Sequence, residues 1–209
     1  SRLESGYGDL IQAASRTAAQ AVEDRAGGSR TVRFDMGSSC GNAYLDITSV
    51  TLPETKAWYA LHQQVDTDAI RAQLGLPVGE VNMIVWGDEI GSGTMPLGVA
   101  QTYLDDRPGD VNLNNYGGRD ALIIGRGKTY FFDDAPSLAW EPASVALHEL
   151  THTLGAVQNG APHSSKAGHC TDEWDIMCYA DGSPTNPLNG SALTFSFSGY
   201  GAARILHCG

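Results

Sequence analysis

Residues 148–152 read His-Glu-Leu-Thr-His, and no other stretch restricts the fold of this chain as much. His148 and His152 stand four apart, so on a helix both imidazoles leave the same face. Two ring nitrogens on one face can meet a single zinc ion at about 2.0–2.1 Å. Glu149 lies about 100° round the helix, where it reaches a water on such an ion rather than the ion itself. Leu147, Leu150 and Leu154 mark the opposite face, which must be buried. Pro142 suits the first turn of this helix and Gly155 its end. The fold must therefore hold a buried helix with one polar stripe and turn the chain sharply at Gly155, back toward that stripe. The segment 156–190 that follows has almost no periodicity, and so long an irregular stretch in a compact domain is usually functional.

The remaining chain reads as scaffold. Over 7–26, Tyr7, Leu10, Ile11, Ala14, Ala18, Ala21 and Val22 recur at helical spacing until Gly27-Gly28 stops them. Strands are expected at 31–34 and 43–52 with a turn at 37–41, then a helix over 55–74 stopped by Gly75 and Pro77. Further strands are expected at 81–86, 98–104 and 121–125, the first and last apolar enough for burial on both faces. A polar loop fills 105–119. Short elements are expected at 128–132, 193–197 and 202–207. There is no internal repeat and no linker, so 1–209 reads as one domain, with a sheet-and-helix part, 1–155, and a loop-rich part, 156–209.

Composition removes several function classes. Thirteen Lys+Arg face 24 Asp+Glu, a formal charge of -11, with only 3 Lys and no basic run. That argues against nucleic acid, whose phosphates need basic clusters. No apolar run approaches the ~20 residues that span a bilayer. A chain of 209 residues buries about 70% of its unfolded surface, so it needs no metal or disulfide merely to have a core. Cys40, Cys170, Cys178 and Cys208 permit two disulfides in three pairings. Cys170 and Cys178 are close in sequence, and Cys208 lies where a staple would stop the end fraying. An exported protein is expected, four buried or metal-binding thiols being the alternative; the absence of Cys-x-x-Cys weakens a thiolate zinc site. A first residue Ser1 with no signal-peptide pattern fits a processed mature chain or an expressed fragment.

His148-Glu-Leu-Thr-His152-Thr-Leu-Gly155 resembles the zinc-binding helix of the metzincin metallopeptidases. Asp175-Ile-Met177-Cys178-Tyr179 resembles their Met-turn. More narrowly, the run from Gly155 through His163, His169 and Tyr179 is similar to a family of secreted bacterial metzincin-like proteins. The match is strong over 148–182, compatible over 7–140 and silent over 183–209. The resemblance implies an α+β fold, with a twisted mixed sheet, two packing helices and the His-bearing helix. It implies a secreted, monomeric zinc endopeptidase acting on polypeptide. Zinc would sit on His148 and His152, Glu149 would act as general base, and Met177 would form a structural floor. Tyr179 would be a further ligand, a donor to the developing oxyanion, or a buried core tyrosine. The strand at 98–104 would be an edge strand whose Gly98, Val99, Ala100 and Gln101 bind extended substrate by strand addition. A zinc hydrolase of a non-peptide substrate and a non-catalytic extracellular binding domain are the rival readings.

Two positions depart from the metzincin pattern. Gln158 stands where His or Asp supplies the third ligand, and a neutral amide is a poor one. His169 and His163 are the candidates, with Asp172 and Asp175 behind them. The expected disulfides are Cys170–Cys178 and Cys40–Cys208; the first would hold His169 against the Met-turn, which favours His169 over His163. The strand that opens these domains is short, missing or removed, since six residues precede Tyr7. Asp110-x-Asn112-x-Asn114 begins like a calcium loop, but Asn115 and Ala121 break the EF-hand pattern. An irregular calcium site on Asp105, Asp106 or Asp110 is left open beside a solvated turn. These aspartates, with Asp172, Glu173 and Asp175, are expected to form an acidic rim favouring basic peptides.

Overall fold

The computed structural model describes residues 7–38, 41–62, 64–87, 97–124, 140–171, 175–179 and 181–187. Its elements in chain order are α1 (Tyr7–Arg25), β1 (Met36–Ser38), β2 (Gly41–Leu45), α2 (Lys56–His62), α3 (Thr67–Leu74), β3 (Met83–Gly87), β4 (Gly98–Ala100), β5 (Asp120–Ile124) and α4 (Trp140–Thr153). Together they make a mixed α+β fold.

All five residues of β5 are buried, Asp120 and the apolar run Ala121–Ile124 after it, which requires cover on both faces. One face sets Ile123 against Val145 and Ala146 of α4, with Ile84, Trp86 and Leu97 beside them. The other sets Leu122 and Ile124 against Tyr59 of α2, with Trp58 and Val65. Burying an isoleucine side chain stabilises by about 1.5–3 kcal/mol, so β5 is the spine of the upper part. It lies between its neighbours in the order β3-β5-β4: β3 runs parallel to it, from Met83 on Asp120 to Gly87 on Ile124, and β4 antiparallel, with Val99 on Leu122. Among the described residues β4 is an edge strand. The helix α1 packs across α4, where Ala18 meets Leu147, Ile176 and Met177. Its first turn holds Tyr7 and Ile11 on Leu45, and Tyr7 Oη donates to Gly87 O at 3.2 Å.

Four expectations are corrected by local hydrogen bonding. The strand expected at 31–34 does not form, because this segment lies along α1 instead: Thr31 Oγ1 donates to Ala19 O at 2.9 Å and Phe34 packs beside Tyr7. The hairpin that does form, β1 on β2, lies later and ends at Leu45 rather than 52. The helix expected over 55–74 is two helices, because the Asp66 carboxylate accepts from Ala69 N at 2.9 Å and so starts a new helix there. The strand expected over 98–104 stops at Ala100, and the polar loop after it holds two single 3-10 turns, Gly109–Val111 and Leu113–Asn115. The short elements expected at 128–132, 193–197 and 202–207, the opening strand, and Cys40 with Cys208 lie outside the described residues. No helix among the described residues is long and apolar enough to cross a membrane.

One buried ion pair fixes α3 to the spine. The Arg71 guanidinium bonds Asp120 Oδ1, with side chains 4% and 1% exposed, and Arg71 Nη1 also donates to Pro77 O at 3.2 Å. Removing one partner strands a buried charge, which costs about 3–5 kcal/mol. Arg71→Ala should lower the free energy of unfolding by that amount in a denaturant titration; a loss under about 1 kcal/mol would show that water already reaches the pair.

Candidate metal centre

The helix α4 delivers His148, Glu149 and His152, each under 10% exposed. Leu147 and Leu150 bury its far side as expected, but Leu154 is half exposed. The reason is that the helix ends at Thr153 and the chain swings away at Gly155. Gly155 adopts φ +101°, where a side chain is strained, and a Cβ there would lie 2.7 Å from Asn114 Cγ. The position needs glycine on both counts.

After that turn, segment 156–171 folds back without helix or strand and brings in His169. His148 Nε2 lies 3.1 Å from His152 Nε2, which lies 3.3 Å from His169 Nε2. Four ligands at about 2.0–2.1 Å on a tetrahedron stand about 3.3–3.4 Å apart. The three imidazoles therefore fit the group a tetrahedral ion requires, and they form a group that could hold a metal ion. Two of the other nitrogens have acceptors: His148 Nδ1 donates to Ile176 O at 2.8 Å and His152 Nδ1 to Ala156 O at 2.5 Å. His169 Nδ1 faces Asp181 Oδ2 at 3.3 Å, an ion-pair distance without hydrogen-bond geometry. Anchoring these two Nδ1 atoms sets their tautomer and leaves their Nε2 lone pairs facing inward, while the Asp181 carboxylate favours the same orientation of His169. Burial keeps the rings neutral as ligands must be. It lowers the pKa of His148 to about 3, helped by the neighbouring rings, lowers that of His152 to about 4, and lowers that of His169 despite Asp181.

His163 lies outside this group. It is exposed, at φ 58°, and its carbonyl accepts from Thr171 N at 2.8 Å and Thr171 Oγ1 at 3.1 Å. Gln158 is engaged elsewhere, with its Nε2 donating to Tyr103 O at 2.6 Å and Gly155 O at 2.7 Å. Cys170 and Cys178 are joined in a disulfide with Cα atoms 4.4 Å apart. The disulfide and Cys170 N donating to Met177 O at 3.1 Å tie the residue after His169 to the turn under α4. Met177 is buried there with Leu147 and Ala18. The turn is held by Asp175, whose Oδ1 accepts from Met177 N at 2.8 Å.

Glu149 faces β4. A Cβ on Gly98 would lie 2.5 Å from Glu149 Oε1, so only glycine lets the edge strand come this close. Burial pushes the Glu149 carboxyl up to about 8, far above the usual carboxylate range. The Tyr179 ring stacks at a tilt 4.2 Å from the His169 ring and 5.7 Å from that of His148. Burial, then the charges of Glu149 and Asp181, push its phenol up to about 12, so it keeps its proton as a donor.

Asp181 was not among the expected site residues. Burial works against its charge, but bonds from Ser165 Oγ (2.5 Å), Asn186 Nδ2 (2.9 Å) and Ser183 N (3.0 Å) outweigh it, and its pKa is lowered. The carboxylate thus stays ionised beside His169. In the sequence Asp181-Gly182 reads only as a turn. Arg119 was missed as well. It is buried at the C-terminal end of α4, bonding Thr153 O, Leu113 O (3.0 Å) and Asn114 O (2.6 Å), where a cation suits the helix dipole.

The expected calcium site is not assembled among the described residues, and only part of the expected acidic rim lies within them. Asp175 is buried in its turn, and Asp172 and Glu173 lie outside the described residues. The Asp105 carboxylate is taken by Arg107, at 2.7 and 2.8 Å, and by Leu113 N at 2.7 Å, and Arg107 holds it well below the usual range. Asp106 accepts from Gly160 N at 3.1 Å. Among the described residues Asp105, Asp106 and Asp110 form no group for a cation.

Metal binding measured by chelator competition should separate these roles. His169→Ala should lose at least about a hundredfold in affinity, Asp181→Asn about 10–100-fold, and His163→Ala nothing. Equal affinity for His169→Ala and wild type would remove His169 from the ligand set. Compared with family models, with curated proteins and with solved structures, the chain finds no match in any of the three.

Proposed function

We propose that this chain is a secreted zinc endopeptidase of metzincin type. The observation that carries the reading is the convergence of His148, His152 and His169 beside a buried Glu149 that faces an antiparallel edge strand. The long α1 across α4, and the turn at Asp175–Tyr179 beneath the histidines, support the metzincin architecture. The Cys170–Cys178 disulfide supports export.

His148, His152 and His169 would hold zinc through Nε2. When bound, zinc polarises the peptide carbonyl and makes water a nucleophile near neutral pH. The chain's own residues do the rest. An extended peptide adds to the outer edge of β4 and so lies across Glu149. Glu149 takes a proton from the attacking water as the C–O bond forms. It then passes that proton to the amide nitrogen as the C–N bond breaks, releasing an amine and a carboxylic acid, whose remaining water-derived proton is lost on ionisation to the carboxylate. Burial alone holds the Glu149 proton near neutral pH, and the charge of a cation bound on the three histidines would favour the carboxylate that this transfer needs. Tyr179, protonated beside His169, donates to the oxygen that gains charge.

Glu149→Gln tests this reading. Cleavage of a casein or peptide-library digest, with single cut sites read by mass spectrometry and lost with chelator, should fall about 10²–10⁴-fold in this variant with metal content unchanged. Unchanged cleavage would sink the reading.

The same variant should be more stable in the metal-free state at pH 8. The folded Glu149 carboxyl keeps its proton to about 8 while the unfolded one releases it near 4.5. The folded state therefore binds more protons between these values, and its stability falls as pH rises through them. His148 and His152 act oppositely: their folded values, about 3 and 4, lie below the ordinary 6.5, so stability is lost as pH falls below 6.5. The gain in melting temperature of Glu149→Gln over wild type should be larger at pH 8 than at pH 5. An equal gain at both would mean that the carboxyl titrates as an exposed one.

A further inference from the structure

Antiparallel pairing assigns each residue of β4 an inward or an outward edge. Ile124 N donates to Leu97 O at 2.8 Å and Gln101 N to Asp120 O at 2.9 Å. Leu97, Val99 and Gln101 therefore turn their peptide groups toward β5, while those of Gly98 and Ala100 point to the opposite edge. The ladder runs out at Gln101, because β5 begins at Asp120 and the preceding residue, Arg119, belongs to the cap of α4.

Tyr103 is the next residue due to face inward, and it is paired by side chains instead. Asn114 Oδ1 accepts from Tyr103 N at 3.1 Å, and Asn114 Nδ2 donates to Tyr103 O at 3.0 Å. One buried amide thus offers the acceptor and donor that a further ladder residue would offer. Gln158 adds a second donor to Tyr103 O at 2.6 Å and, from the same nitrogen, bonds Gly155 O at 2.7 Å. Gly155 is the turn that ends α4 and packs on Asn114. Asn114 O accepts from Arg119, which also holds Thr153 O in the last turn of α4. The segment after β4 is thereby tied to the end of the helix that carries His148, Glu149 and His152.

We propose that Asn114 and Gln158 are positioning residues that hold the β4 edge in register with the metal centre, so that an added peptide strand presents its scissile bond to Glu149. The inference rests on the peptidase reading. The side-chain hydrogen bonds of both amides go to Tyr103 and Gly155 and not to the three histidines, so loss of either should act on how extended peptide binds, leaving the metal site intact. Gln158 fills the position where a metal ligand was expected and serves the substrate strand instead.

The test uses an octapeptide that the wild type cleaves, with Gln158→Ala, Gln158→Glu (same shape, no donor) and Asn114→Ala. Each loses one or two hydrogen bonds, so KM should rise about five- to thirtyfold with kcat changed less than about threefold and bound zinc undiminished. In a Glu149→Gln background, the dissociation constant of the uncleaved octapeptide should rise by the same factor. If the buried Asn114→Ala does not fold, the half-buried Gln158 variants still decide. Unchanged KM in those variants, or a fall in kcat together with lost zinc, overturns the inference. A wild type that cleaves no peptide overturns the peptidase reading itself, which is a separate result.

Discussion

Three neutral imidazoles that turn their Nε2 lone pairs toward one point repel one another unless positive charge lies among them. The rest of this structure is arranged to hold them there. Two rings are locked from behind by Nδ1, His148 to the carbonyl of Ile176 and His152 to that of Ala156, and the third, His169, faces the Asp181 carboxylate. Burial then keeps the rings unprotonated, so the cluster cannot relieve itself by taking up protons near neutral pH. The same burial raises the proton affinity of Glu149. One physical cause, exclusion of water around α4, thus sets the protonation of both the histidine group and Glu149.

That exclusion is the work of apolar packing on two sides. The strand β5 covers α4 through Ile123, while α1 and the turn at Met177 cover it through Ala18 and Ile176. Polar groups caught between these layers are satisfied by specific partners, as buried polar groups must be. Arg119 satisfies the carbonyls at the end of α4, and Arg71 pairs with Asp120. Among its described residues the lower segment has no ladder or helix of its own and is braced by the Cys170–Cys178 disulfide, by Ser165 N on His169 O at 2.7 Å, and by the bonds that gather on Asp181.

Much of the scaffold was legible in the residues. The period of apolar positions placed α1 and α4 within a residue or two, and unbroken apolar runs placed β3 and β5. These signals succeed because burial of a helix face or of both strand faces leaves a pattern in the sequence. Failures came where one polar side chain overrode the pattern. Asp66 starts a second helix, Thr31 ties a strand-like segment to α1, and β4 ends early because Asn114 takes over the pairing of Tyr103. Such bonds depend on one partner brought in from elsewhere, and no period records them.

By itself the sequence determined that two imidazoles and a carboxylate share a helix, because spacing of four and of one residue sets their directions on any α-helix. Through its resemblance to the metzincin pattern it also pointed to a short segment after the helix for the residue that could join them at a metal ion, since Gln158 is a poor donor to a cation. Only the tertiary structure decided between His169 and His163, because the choice depends on how an aperiodic segment folds back, with one ring meeting His152 and the other left in solvent. It alone brought in Asp181, and it alone turned Gln158 toward Tyr103. These are contacts between residues whose separation along the chain carries no geometric information, so packing had to supply it.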